Sequence, residues 1–507
     1  MCANVLKARK RSEIVVVESP TISPVGVGEA LTPFFFMFLT TIGYDPVSFI
    51  KDVRGSVKLA VRFENWMGKN DIYYHPFQDG GEYVTKPDFG VSPGYNRLVS
   101  YALVKGIPLH NIATSYALLC EHNKVPWFRN FKEDGGEYYG YGSYAYHMDT
   151  NAFSETFRAR AVRKAVDHVK GNVVAVNKNA DTGFIESLSL EDGRTVEGDF
   201  FIDCTGFKRV LISTMSPEWE SYSDWLPVNR AIPFNVKYGT PGDREGEGVP
   251  PYTLARGLSA GWLWKIPLLD RYGAGYVYCD EFASEEDALE EIGQNVDPKK
   301  SGPFGRTIRF ETGTLRETWI KNCVAVGLSS GFIEPLESTS IQIALTQIFG
   351  VIDVLRDPFS YNEKVIEAYN KSIKLETDDI RDFIILHYVT ERSDTPFWRY
   401  ISNNTTTLNY PDTVRDKIEA ARYRTFGHNR VQSQQTRGRV FGELSNVYVM
   451  QALGLLSKKS AEADFLQECD SVEKAVAAVG RDVERLQKHL AQFRRDCIPH
   501  KEFLDKL

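Results

Sequence analysis

The stretch Asn322-Cys323-Val324-Ala325-Val326-Gly327-Leu328-Ser329-Ser330-Gly331 decides the class of fold. A short run of β-branched and small apolar residues stops at a glycine, passes a Ser-Ser-Gly loop and enters a helical pattern. Such a run, apolar on both faces, suits a buried parallel strand. A strand that feeds a helix N-terminus through a glycine loop is a ready anion site. Two other stretches agree. Ile14-Val15-Val16-Val17 is a buried-strand pattern ending in Glu18, and an acid at the carboxyl edge of a sheet suits a ribose hydroxyl pair. Phe200-Phe201-Ile202-Asp203-Cys204-Thr205-Gly206 is a strand followed by a tight turn, as where a chain passes a dinucleotide a second time. Each signal alone is weak, because any doubly wound sheet contains such turns.

Composition narrows the functional classes. The chain has 507 residues, with 60 Lys+Arg against 67 Asp+Glu, a net charge of −7 without long blocks of one sign. A nucleic-acid partner is not expected, since that needs a clustered basic face. With 30 Phe, 25 Tyr and 8 Trp, disorder is excluded as the main state, and a large apolar pocket or a bulky core is expected. The seven cysteines are widely spaced with no CxxC, and no HxH or HExxH pattern occurs. Reduced thiols, a cytoplasmic location and no metal site follow as expectations. Met1 to Arg11 is basic without an apolar segment, so it is not a secretory signal. The most apolar run, Phe34 to Leu39, is far below the roughly 18 residues a membrane span needs.

Along the chain, a helix is expected from about Pro33 to Thr41. Ser56 to Phe63 alternates, with Val57, Leu59, Val61 and Phe63 on one face and Lys58, Ala60 and Arg62 on the other; the ordinary reading of a lysine there is an edge or solvated strand. Asp71 to Tyr146 is rich in Tyr, Gly and Pro and looks irregular, with short helices. A helix over Asn151 to His168 precedes two strands turning near Asp181-Thr182-Gly183. Trp262–Ile266, Tyr276–Tyr278 and Arg306–Phe310 suggest an antiparallel sheet. Beyond about Asp379 the pattern is mainly helical, clearest in the 4-3 spacing of Val472, Val476, Val479, Val483, Leu486, Leu490 and Phe493, with Asp470 and Glu473 placed as a capping box. That seam is expected to pack within its own domain, a homo-oligomer seam being the alternative. No internal repeat is visible.

Four longer strings occur in order: Lys58 within Ser56-Val57-Lys58-Leu59-Ala60-Val61-Arg62-Phe63; Gly26-Val27-Gly28-Glu29-Ala30 just after Glu18; Trp262-Leu263-Trp264-Lys265-Ile266-Pro267, which fits W-x-W-x-I-P; and Gly331-Phe332-Ile333-Glu334-Pro335-Leu336-Glu337-Ser338-Thr339, which fits G-F-x-E-P-L-E-S-T. Together they resemble the flavin-dependent tryptophan-halogenase family, from roughly Ser12 to Trp398. The resemblance implies an α/β, Rossmann-like FAD-binding flavoprotein monooxygenase fold with an inserted antiparallel sheet and a mainly helical C-terminal part. Residues 1–378 would form the FAD-binding module, with substrate-side insertions near 70–150 and 215–310, and residues 379–507 a helical capping part.

The resemblance also implies the chemistry. FADH2 from a separate NAD(P)H-flavin reductase reacts with O2, and with a halide ion (chloride, bromide or iodide) yields hypohalous acid, which travels internally to a small aromatic substrate. Lys58 matches the catalytic lysine, and Glu337 the carboxylate that orients the electrophile and accepts the substrate proton. Thr339 and Ser340 match the halide-binding positions. Glu18, Gly26, Gly28, Val169, Leu328 and Ile341 match flavin-contacting positions, and Trp262 and Trp264 would wall the flavin from the substrate. The bland alternatives are core packing for both tryptophans and a helix-dipole role for Glu337 and Glu334. Two departures stand out. The family usually has glycine after the threonine, where this chain has Ser340. The family also opens with a strand and G-x-G-x-x-G, whereas Met1 to Arg11 aligns with the helix after that loop, so the first strand and glycine-rich loop are missing from the chain as given. An FAD-dependent aromatic monooxygenase and an inactive halogenase-like binding protein are the alternatives. Phe397 and Trp398, with aromatics of Asp71 to Tyr146, are candidate pocket residues.

Overall fold

The structure is a computed structural model; it describes residues 13–507 except 23–25, 78–93, 130–137, 141–143, 239–247, 298, 356–361, 424 and 426–439. Two parallel strand pairs lie outside the largest sheet. Val15–Glu18 pairs with Asp167–Lys170, and Phe201–Asp203 pairs with Cys323–Ala325, each in register over its length. Asp203 fixes the turn that follows by accepting from the backbone N–H groups of Thr205, Leu211 and Ile212 at 2.9 Å each. Three expectations about this part are corrected. Val15–Glu18 is parallel but not buried: Val15 and Val16 are 41% and 44% exposed, because among the described residues it pairs on one side only. The helix after Asp149 runs Thr150–Arg163 and not to His168. The chain turns through Ala165 at φ 58° and His168 and Val169 join a strand. The loop after Cys323–Ala325 does not enter a helix directly. It makes a short strand at Gly331–Phe332 and a 3-10 turn at Pro335–Glu337 before the helix Ser340–Leu355 begins.

The largest sheet has seven strands in the order Ile308–Arg309, Arg230–Lys237, Arg271–Tyr278, Gly261–Pro267, Tyr252–Gly257, Ala60–Glu64, Ile72–Pro76. All its pairings are antiparallel except Tyr252–Gly257 beside Ala60–Glu64. The single strand expected over Ser56 to Phe63 is two. Ser56–Lys58 belongs to a different sheet, antiparallel to Ala145–Met148, and the chain crosses at Leu59. Val57 to Val61 are 0% exposed, so Lys58 is not on a solvated strand; Ser56–Lys58 is an edge strand of its sheet, in keeping with the edge reading, but a buried one. Asp71 to Tyr146 is also more regular than expected, with strands Ile72–Pro76 and Ala145–Met148 and the helix Tyr95–Lys105.

In the C-terminal part the helix Glu363–His387 runs unbroken past residue 379. Its 25 residues span about 37 Å and drive Phe383 and His387 against the seven-stranded sheet. The helix Val472–Asp496 buries Val476, Val479, Val483 and Leu490 against its own chain. Its N-cap is Ser471, whose Oγ accepts from Lys474 N–H, and not the Asp470–Glu473 pair, since Ser471 is the residue that leaves the helix with extended backbone. Phe397 and Trp398 are core: both are 0% exposed, and Trp398 Nε1 donates to the Leu258 carbonyl at 2.7 Å.

Candidate active site

Lys58 is held at the crossing between the two sheets. Its Nζ donates to Ser338 Oγ at 2.7 Å and to the Leu31 carbonyl at 3.2 Å, and stands 4.6 Å from the centre of the Phe77 ring. Burial favours the neutral amine, while the charges of Glu337 and Glu29 oppose it. The balance brings the Lys58 pKa down to about 7. Glu29 is itself pushed up to about 7 by burial. Lowered toward neutrality, Lys58 can present either a charged donor or a lone pair.

Glu337 follows from the 3-10 turn Pro335–Glu337, which ends on Ser338 in the left-handed region at φ 63°. Its carboxylate is 0% exposed. His75 Nδ1 lies 2.9 Å from Oε2, and His387 Nε2 lies 3.1 Å from Oε1. Burial alone would raise this carboxyl; the charge of His75 first, then the close approach of His387 and the hydrogen bond with His75, outweigh it and hold the pKa at about 2. His387 is braced in turn by Tyr73, whose hydroxyl is 2.9 Å from Nδ1, and by stacking on Phe63 at 4.6 Å. Phe383 and Phe441, stacked at 3.9 Å, stand beside His75 at 5.2 and 5.9 Å. The site is an ionised carboxylate and an amine set among aromatic faces. His75, His387, Tyr73 and Ser338 were missed in the sequence. The run Ile72-Tyr73-Tyr74-His75 carried a strand signal for two of them; His387 carried none.

Glu334 is no dipole acid. It is 0% exposed, and its Oε2 accepts from Trp262 Nε1 at 2.6 Å and Tyr388 OH at 2.7 Å; burial raises it to about 7. This fixes Trp262, on the same strand face as Trp264, with ring centres 6.2 Å apart. Trp264 lies across Gly275, its partner in register: a Cβ there would fall 2.1 Å from the indole.

The other expected residues fall in two groups. Leu328 and Ile341 bracket the Gly331–Thr339 loop and are half-buried, and Thr339 is buried while Ser340 opens the helix Ser340–Leu355. The Thr339 hydroxyl oxygen is buried without a hydrogen-bond partner in the structure, which fits a small anion beside a helix start. Glu18 and Val169 lie in the exposed parallel pair, while Gly26 lies against Thr150 at the start of the helix Thr150–Arg163. The Glu18 carboxylate is held by Arg158 at 2.6 and 3.1 Å and by His168 at 2.5 Å; these bonds, Arg158 first, lower its pKa. Gly26 has φ 122°, and a Cβ there would meet Thr150 at 3.1 Å, a backbone only glycine adopts easily. An acid at a strand end fits the ribose end of a dinucleotide. Gly28 instead packs on the sheet, where a Cβ at Gly273 would fall 2.7 Å from the Val27 carbonyl.

A profile of the tryptophan halogenases matches residues 1–468. This chain belongs to the tryptophan halogenase family. The halogenase is 33% identical over 429 residues to a tryptophan 6-halogenase of Streptomyces albogriseolus, covering 81% of this chain and 77% of that one. It is 32% identical over 429 residues to a tryptophan 7-halogenase of Lentzea aerocolonigenes, with the same shares covered. A solved flavin-dependent halogenase from Xanthomonas campestris superposes with a TM-score of 0.83 at 28% identity, covering 100% of this chain and 95% of that one. The halogenase therefore has the α/β FAD-binding fold of flavin-dependent halogenases and is an oxidoreductase acting with FADH2 on an aromatic substrate. No described helix is long and apolar enough to cross a membrane, and no group of metal ligands occurs among the described residues.

Proposed function

We propose that the halogenase places a halogen on an electron-rich aromatic ring of indole or phenol type, with Lys58 holding hypohalous acid and Glu337 taking the ring proton. The observation that carries this reading is the meeting of Lys58 and Glu337 in one buried place: the amine donates to Ser338, the residue beside Glu337. Reduced FAD, when bound near Glu18, Gly26, Val169, Leu328 and Ile341, supplies with O2 and a halide the oxidising equivalents for hypohalous acid. Thr339 and Ser340 hold the halide. Trp262 and Trp264 keep the organic ring away from the flavin, so only a small oxidant passes.

Lys58, with an amine that exchanges its proton near neutrality, donates to the oxygen of the hypohalous acid and points the halogen outward. As the ring attacks the halogen, the Lys58 ammonium passes its proton to the departing oxygen, so that water leaves and Lys58 becomes the neutral amine. The cation left on the ring loses its proton to Glu337, whose ionised form is favoured across the neutral range. The aromatic faces of His75, Phe77, Phe383 and Phe441 favour a planar substrate. The reading places residues 1–378 in the flavin module and 379–507 in a capping part, a division of side-chain character across a continuous helix, and places the enzyme in the cytoplasm beside a separate NAD(P)H-flavin reductase.

The test is incubation with FAD, a flavin reductase, NADH and chloride, bromide or iodide in turn, against tryptophan, indoles and phenols, read by mass spectrometry. A halogenated ring in one halide arm is expected. A hydroxylated product without halogen would turn the reading into an aromatic monooxygenase.

A further inference from the structure

Among the described residues, the strand that carries Lys58 has a neighbouring strand on one side only. Ser56–Lys58 pairs with Ala145–Met148, with Val57 opposite Tyr146. Its other edge points into the protein, where a backbone donor needs an acceptor that no adjoining strand provides. Leu59 N–H finds the Pro251 carbonyl at 2.7 Å. Val57 N–H finds a side chain from the far end of the chain, His500 Nε2, at 3.1 Å.

His500 is built for that task. It is 0% exposed, and its Nδ1 is 3.0 Å from the Val249 carbonyl. A carbonyl only accepts, so Nδ1 carries the hydrogen and Nε2 is left with its lone pair toward Val57. Burial holds the ring neutral, with a pKa lowered to about 3. The backbone around it is fixed as well: His500 N–H donates to the Asn123 carbonyl at 2.8 Å, and Cys497–Pro499 pairs with Lys124–Arg129.

We propose that His500 is a positioning residue for Lys58: its Nε2 stands in for the missing strand, and so the C-terminal segment sets where the Lys58 amine reaches. This rests on the proposed role of Lys58. An imidazole lone pair in place of a strand carbonyl fixes the Ser56–Val57 peptide, the one before Lys58, from the side opposite Tyr146. Without it the peptide is free to tilt and the amine leaves Ser338. A displacement of about 1 Å at a reacting centre lowers turnover by about a hundredfold.

The test uses His500→Ala, His500→Asn and His500→Gln in the full chain. A glutamine amide oxygen reaches the place of Nε2 and an asparagine does not. With FAD, reductase, NADH and bromide, and tryptophan or indole as probe, kcat is expected to fall about 10- to 100-fold in the Ala and Asn variants. KM stays within about twofold, and Gln recovers most of kcat. A second readout needs no aromatic substrate: carbamylation of Lys58 by cyanate, followed by peptide mass spectrometry. Its rate should change at least about threefold in Ala and Asn but not in Gln, and it decides alone if neither probe turns over or the Ala variant fails to fold. Asn and Gln variants alike in both readouts, or all three at the wild-type values, overturn the inference. Wild-type turnover by Lys58→Ala overturns instead the role assigned to Lys58.

Discussion

His75 Nδ1 lies 2.9 Å from Glu337 Oε2, joining the end of a sheet strand to a 3-10 turn deep inside the molecule. With His387 near the other oxygen, the ionised form of Glu337 is favoured, its pKa held at about 2. Glu337→Gln is expected to lower kcat by about a hundredfold with little change in flavin affinity. The sign of the pH dependence follows from the lowered pKa. Glu337 stabilises the fold above about pH 4.5, and that contribution disappears as pH falls toward 2. Thermal unfolding from pH 5 to 3 should therefore fall more steeply for the wild type than for Glu337→Gln. Equal slopes would remove the carboxylate from this account.

Lys58 gives the opposite kind of linkage. Its folded pKa of about 7 lies below the unfolded value near 10.5, so the unfolded chain binds the extra proton between those limits. Its burden on stability is full below pH 7 and lifts as pH rises. Lys58→Met should raise Tm at pH 6 by more than at pH 10 while abolishing halogenation. A Tm gain that does not vary with pH would contradict the shift.

Gly275 exists for the Trp264 ring. Gly275→Ala sets a methyl 2.1 Å from the indole and forces the ring or the strand to shift, at a cost of about 1–3 kcal/mol. Calorimetry should show the lower Tm, and tryptophan emission should report the moved ring. An unchanged Tm and spectrum would mean the indole is free to step aside.

Glu18 is expected to receive ribose hydroxyls, in exchange for part of its contact with Arg158 and His168. A hydrogen bond to a charged group contributes about 1.5–3 kcal/mol, so Glu18→Ala should weaken FAD binding by about 10- to 100-fold in a flavin-fluorescence titration. A dissociation constant within about twofold of the wild type would take Glu18 out of the cofactor site.

The parts of the site legible in the sequence are those carried by contiguous strings. The alternation around Lys58 announced a strand, and the string Gly331 to Thr339 singled out Glu337, though not the 3-10 turn that carries it. What the alternation hid is the crossing at Leu59, because two short strands in different sheets keep the same period as one long strand. His75, His387 and His500 stayed silent for another reason. Each lies far along the chain from what it touches, and a single histidine has no periodicity to betray it. Glu334 misled for the reverse reason: its place before a proline turn suggests a helix-end acid, and only the packing of Trp262 and Tyr388 on one oxygen makes it a buried anchor.

Lys58 is fastened at its tip by Ser338 and Leu31, with Phe77 beside it, and its backbone stands where two sheets meet. A tip so tethered hands over its cargo at one point in space. On the proposed reading, then, the ring position that becomes halogenated is chosen by the cradle that turns the substrate, and exchanging that cradle while leaving Lys58 alone is the route to a different isomer.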